Sequence, residues 1–217
     1  MTGDDSEGGR IPESDEEPTL LAPDLDPSVP VDDEASTQLH PDAAGRAGAA
    51  GEAIGLRPPT MVDNFQVQRL LGAGGMGEVY LARDMLLGRK VALKVLQPQA
   101  LGSEDAVERF LFEARTTARF SHPHIVTIYA VGQHGPHPYV ALEYLTGETL
   151  RERMAEEELG VKEAARIGMA VADALGEAHR HRILHRDLKP ENVMIPRDGR
   201  VRVLDLGLAK VVDDSPG

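Results

Sequence analysis

The 217 residues carry a formal net charge of −13, and that acidic balance argues against general nucleic-acid binding, which needs lysine and arginine to neutralise phosphates. The absence of cysteine removes disulfides, thiolate nucleophiles and cysteine-ligated zinc, and it fits a reducing, cytoplasmic setting. No apolar run reaches the roughly 18 residues of a membrane span, and the start MTGDDSEGGR lacks the basic and apolar stretches of a secretory signal.

The charge is unevenly placed. Residues 1–60 hold 14 acids against 3 arginines, a net −11 of the total −13. This stretch is rich in Asp, Glu, Pro, Gly, Ser and Ala and has no aromatic residue, so it offers too little apolar surface to offset the entropy of ordering. A disordered acidic tail is expected over 1–60, with Ser6, Ser14, Thr19, Ser36 and Thr37 as candidate phosphosites. A regulatory partner for this tail is one reading; a solvated leader without a partner is the simpler one.

Composition changes near Met61, and a folded domain is expected over 61–217. Apolar and polar residues alternate over Phe65–Leu71 and Glu78–Arg83, which predicts two half-buried strands around the loop Gly72-Ala73-Gly74-Gly75-Met76-Gly77. After the turn Leu87-Gly88-Arg89, Lys90–Leu96 completes a three-stranded meander. Ser103–Phe120 reads as a helix, with Val107, Phe110, Leu111, Ala114 and Ala118 at three- and four-residue spacing. Ile125–Val131 and Tyr139–Leu145 read as further strands. A long Ala-rich helix is expected over Val161–Arg182, with Ala165, Gly168, Val171, Ala172, Leu175 and Ala178 along its apolar face. Short extended pieces come next at Val193–Ile195 and Val201–Leu204, joined by the turn Pro196-Arg-Asp-Gly199.

A Gly-x-Gly-x-x-Gly loop alone is a weak signal for phosphate binding. Dinucleotide-binding loops open a helix, whereas Gly77 is followed by the strand-like EVYLAR. A P-loop needs Lys-Ser/Thr after its last glycine, and Glu78 stands there instead. What remains is a hairpin whose tip could lie over a nucleotide, or a glycine-rich hairpin without a ligand. On the third strand, alternation puts Ala92 and Lys94 on one face and Val91, Leu93 and Val95 on the other. A lysine between apolar neighbours is costly unless paired. Glu113, beside the apolar stripe of the helix, is the candidate partner; a surface lysine and a solvated glutamate are the plain alternative.

The sharpest segment is His185-Arg-Asp-Leu-Lys-Pro-Glu-Asn192, with Asp205-Leu-Gly207 thirteen residues further on. Phosphoryl transfer needs an aligned acceptor hydroxyl, a group to take its proton, and metal to neutralise phosphate charge. Asp187 can take the proton, Lys189 can neutralise the transferred group, and Asn192 with Asp205 offers the hard oxygen ligands that suit Mg²⁺.

Taken together and in this order, these motifs make the chain resemble the eukaryotic-type serine/threonine protein kinases, most closely their bacterial branch. The resemblance covers about residues 63–212 and implies an α+β, protein-kinase-like two-lobe fold. It would have a complete five-stranded N-lobe with one helix, plus an incomplete, mainly helical C-lobe, divided as 61–145 (with the hinge) and 146–217. It implies ATP and Mg²⁺ as cofactors and proteins with Ser or Thr hydroxyls as substrates. Gly72–Val79 would cover the phosphates. Leu71, Val79, Ala92 and Met194 would sandwich the adenine, Glu143 and Leu145 would present hinge backbone, and Leu142 would be gatekeeper. Lys94, oriented by Glu113, would hold the α- and β-phosphates. Asp187 would be the catalytic base, Lys189 would contact the γ-phosphate, and Asn192 and Asp205 would hold magnesium. Lys189 matches the serine/threonine pattern, and Arg186 implies regulation through the activation loop.

Two departures stand out. Leu206 replaces the usual Phe of the Asp-Phe-Gly run, and nothing like Ala-Pro-Glu appears before Gly217. A fragment of a longer protein is therefore expected, with one face of the long helix left bare. The histidine groups His122/His124, His134/His137 and His179/His181/His185 fall in loops or at a helix end, without a metal-binding helix spacing. A nucleotide-binding pseudokinase is the competing class. Such proteins usually lose the equivalents of Lys94, Asp187 or Asp205, all present here.

Overall fold

The structure, a computed structural model, describes residues 54–206. The expectations for residues 1–53 and for residues 207–217, Gly207 among them, lie outside this range. All described residues belong to one unit, Ala35–Gly217.

Alternating side chains build the first sheet. Its strands are β1 (Met61–Val62), β2 (Phe65–Gly74), β3 (Gly77–Asp84), β4 (Lys90–Leu96), β5 (Ile128–His134) and β6 (His137–Glu143). They lie in the order β1-β2-β3-β4-β6-β5, with every pair antiparallel. Five of these strands were expected; β1 adds a two-residue edge. The hairpin strands run further into the glycine loop than alternation suggested, leaving only Gly75 and Met76 between them. The strand expected to begin at Ile125 starts at Ile128, because Ile125 instead bridges to Val203 and joins a different core.

The sheet is buried on both faces. Val62, Phe65, Val67, Tyr80, Ala82, Val91, Leu93 and Val95 form one apolar layer, with Ile54 and Leu56 packed against it. The folded part thus begins ahead of Met61. Leu71, Leu81, Ala92, Leu96, Val140 and Leu142 form the other layer, closed by helix α2 (Glu104–Thr117) through Ala106, Phe110, Leu111 and Ala114. A short helix α1 (Pro98–Leu101) leads into α2. The Ser103 side chain caps α2 by accepting from the Ala106 amide, and Glu104 and Asp105 in the first turn favour the positive end of the helix dipole. Ala118, expected on the apolar stripe, lies past the helix end and is exposed, while Thr117 takes the buried place.

The second lobe holds β7 (Gly147–Thr149), α3 (Leu150–Glu156), α4 (Val161–Arg180), a 3-10 turn at Pro190–Asn192, β8 (Val193–Pro196) and β9 (Arg202–Val203). The three strands form one small antiparallel sheet, β7-β8-β9. α4 turns Ile167, Ala170, Ala174 and Ala178 inward, with Val171 at the margin. Ala165, Gly168 and Ala172, expected on the buried face, are exposed together with Met169. The helix has apolar side chains on two faces, and the small sheet selects the one bearing Ile167.

Candidate active site

The glycine-rich hairpin is shaped by contact as much as by turn chemistry. A Cβ on Gly77 would sit 2.1 Å from the Val95 carbonyl oxygen and 2.8 Å from the Leu96 Cα, so β3 and β4 approach there as only glycine allows. The Gln97 amide donates to the Met76 carbonyl at 3.1 Å and holds the base of the turn. A Cβ on Gly75 would meet nothing within 4 Å, so the tip itself is open. Gly72, Ala73 and Gly74 end β2; Gly77, Glu78 and Val79 open β3.

Behind the hairpin, Leu71, Ala92, Leu142, Leu145 and Met194 share one apolar cluster with Val79 against it. They come from β2, β4, the end of β6, the link after it, and β8. The residues expected around an adenine thus converge although more than 120 positions separate the first from the last. Glu143 ends β6, and its carboxylate faces the buried guanidinium of Arg202 at 3.9 Å. Nothing in the sequence pattern marked Arg202, since that ion pair depends on how the lobes meet.

Lys94 stands opposite Val79 in the β3–β4 register, on the face that Ala92 shares. Its Nζ donates to Asp205 Oδ2 at 2.7 Å. The expected pair with Glu113 is not formed here. Glu113 instead lines a cavity of about 170 Å³ with Phe112, Thr116, Arg182, Ile183 and Arg186. Asp205 is partly exposed and has φ 52°, a left-handed backbone that turns its carboxylate toward β4.

The loop after α4 gathers the other polar groups. Lys189 Nζ lies 2.9 Å from Asp187 Oδ2. Asn192, buried at the end of the 3-10 turn, donates through Nδ2 to the Asp187 carbonyl at 2.8 Å and to Asp187 Oδ2 at 3.2 Å. The Leu204 amide donates to the Asn192 carbonyl at 2.8 Å, and His185 Nε2 meets the Leu204 carbonyl at 2.9 Å. These bonds tie Asp187 and Asn192 to the segment after β9 that carries Asp205. Leu206 is buried with Ile125, Ala174, Ala178 and Val203. Of the other clustered histidines, His122 faces Asp173 at 3.3 Å and His124 Nδ1 meets the Val201 carbonyl at 2.9 Å.

The donor set suits a hard divalent cation. The Asn192 amide nitrogen is spent on Asp187, so its side-chain carbonyl oxygen would be the atom to coordinate, and the Asp205 carboxylate would supply a second oxygen. Two protein oxygens leave room for phosphate and water, as magnesium prefers.

A family model described as the protein kinase domain matches residues 65–216. The chain belongs to the protein kinase family. Among curated relatives, serine/threonine-protein kinase PrkC of Bacillus subtilis is 38% identical over 152 residues, covering 70% of this chain and 24% of its own. Serine/threonine-protein kinase PknB of Mycolicibacterium smegmatis is 38% identical over 163 residues, 73% of this chain and 26% of its own. The chain thus spans about a quarter of the length of these relatives. Among solved structures, the Mycobacterium tuberculosis PknI kinase domain matches with a TM-score of 0.66 and 34% identity, over 71% of this chain and 62% of that one. In kinase-domain terms, the first sheet with α2 is the N-lobe, and β7 to β9 with α3 and α4 begin the C-lobe.

Proposed function

We propose that the protein is a serine/threonine protein kinase, which moves the γ-phosphate of ATP to Ser or Thr hydroxyls of protein substrates. The observation that supports this reading is the Lys94–Asp205 pair on the strand face that Ala92 shares, together with Asp187, Lys189 and Asn192 in mutual contact and joined through the Asn192 carbonyl to the amide of Leu204, the residue before Asp205. The apolar cluster takes the adenine, with the backbone of Glu143 and Leu145 at its edge. Lys94 holds the α- and β-phosphates, with Glu113 as the second carboxylate within its reach once α2 closes. Asp187 accepts the proton of the attacking hydroxyl, and Lys189, already beside it, balances the charge on the transferred phosphoryl group. Asn192 and Asp205 are the ligands for Mg²⁺, which when bound neutralises phosphate charge. The kinase domain is assigned to 61–217, split at 145 and 146, with Ile54 and Leu56 of the preceding segment packed against its first sheet, and it acts on the cytoplasmic side, where ATP is held.

Transfer of labelled γ-phosphate from ATP to a generic basic protein tests the reading. With the protein that carries this domain, Asp187→Asn is expected to lose at least ~10²-fold in rate, the lower end for a positioned acid–base group. Lys94→Met is expected to fall comparably. Transfer by both variants at the parent rate would defeat the assignment.

A further inference from the structure

The residue after the last glycine of the hairpin is an acid that points away from the nucleotide side. Glu78 shares its face with Tyr80 and Ala82, on the apolar layer opposite Val79 and Leu81, and only 6% of it is exposed. A carboxylate in that layer is costly unless its oxygens are satisfied. They are satisfied by the segment that enters the domain. The Ile54 amide donates to Glu78 Oε1 at 3.2 Å and the Gly55 amide to Oε2 at 3.2 Å. The Tyr80 hydroxyl donates to Glu78 Oε2 and accepts from the Leu56 amide at 3.1 Å. Ile54 and Leu56 add their side chains to the apolar layer, and Gly55 turns with φ 62°.

We propose that Glu78 is a positioning residue for nucleotide binding: it straps Ile54–Leu56 across the back of the glycine-rich hairpin, so that the segment leading out of the acidic tail sets how the hairpin closes over ATP. This rests on the nucleotide reading of the hairpin given above. The tip is open at Gly75, and its base is held from one side by the Gln97 amide on the Met76 carbonyl. Glu78 holds it from the other side, one residue beyond Gly77. The strap is also the covalent route from residues 1–53 into the sheet, so whatever engages the tail pulls on Glu78 first. An apolar side chain at 78 would have served the core equally well. A carboxylate held by two chain amides and by a hydroxyl that itself takes a third amide makes the attachment specific to that segment.

Two substitutions separate the strap from general stability. Leu56→Asp releases the segment while every residue of the sheet itself is kept, and Tyr80→Phe removes the hydroxyl link but keeps the ring. The readouts are hydrogen exchange of the amides of residues 72–77 and calorimetric titration with Mg–ATP, on each variant, the pair together and the parent. Each single variant is expected to speed exchange over 72–77 and to weaken Mg–ATP about fivefold or more, the low end of coupling between linked sites. The double variant is expected to be no worse than the weaker single one, because both cut the same tie. Faster exchange confined to 54–56, with unchanged affinity, would overturn the proposal, as would effects that simply add. A parent that binds no Mg–ATP would defeat the nucleotide reading instead, and exchange over 72–77 would still decide whether the strap holds the hairpin.

Discussion

Asp84 shows how much one side chain can organise here. It closes the turn between β3 and β4, accepting from the amides of Leu86 and Leu87 at 3.1 and 3.2 Å and from Asn64 Nδ2 at 2.8 Å, with Arg89 Nε at 3.5 Å. Burial alone would raise its pKa; the Leu87 and Leu86 amides, Asn64 and Arg89 together outweigh that and hold it below the usual carboxylate value. A depressed folded-state pKa gives stability above the unfolded value, lost as pH falls through it. Asp84→Asn is therefore expected to lower the unfolding free energy by about 1–3 kcal/mol at pH 7. The difference from the parent should shrink below about pH 4, as urea unfolding at the two pH values would show. At this scale the sequence singled out Lys94, Asp187, Lys189, Asn192 and Asp205 because phosphoryl-transfer chemistry dictates such types and order, and Lys94 touches Asp205 while Asp187 touches Lys189 and Asn192. Which acid Lys94 would meet was not legible, since periodicity fixes the face a residue occupies on its own element but not its distance from a partner on another. The Arg202–Glu143 pair was hidden for the same reason.

Elements were legible where one periodicity dominated. Lys90–Leu96 has the bounds that its alternation indicates, and α4 starts at Val161 as read. The face of α4 was not legible, because alanine and glycine on both sides give the pattern no direction. α3 went unread although its start signal is present: Thr149 caps the helix by accepting from the Glu152 amide, and the Glu152 carboxylate reaches back to the Thr149 amide at 2.7 Å. A seven-residue helix without an apolar stripe has little else to announce it. Thr149→Ala is expected to cost about 1 kcal/mol in urea unfolding. Gly77→Ala is expected to cost more, about 1–3 kcal/mol, because the new methyl must displace the Val95–Leu96 backbone rather than a flexible side chain.

Across the whole described molecule, the lobes are joined by few but specific ties. The chain passes from β6 through Glu143–Leu145, the Val126 amide donates to the Val203 carbonyl at 3.0 Å, and the Val203 amide donates to the His124 carbonyl at 2.8 Å. Ile125 runs parallel to Val203 at the same place. These ties hold β9, and the bend after it that bears Asp205, against the segment leading into β5, and a lysine and an aspartate 111 positions apart share a hydrogen bond. The two-lobe architecture came from the order of the motifs; this alignment required the tertiary contacts. The bare face of α4, with Met169 and Val161 largely exposed, is expected to make the 217-residue chain prone to self-association, which light scattering against concentration would reveal.

The proposed function depends on Lys94 and Asp205 addressing one metal–triphosphate group. Calorimetric titration of ATP, with and without magnesium, into the parent and Asp205→Asn tests this most directly. The parent is expected to bind ATP with clear dependence on magnesium, and the variant to lose that dependence. Equal binding in all four titrations, or none in any, would contradict it.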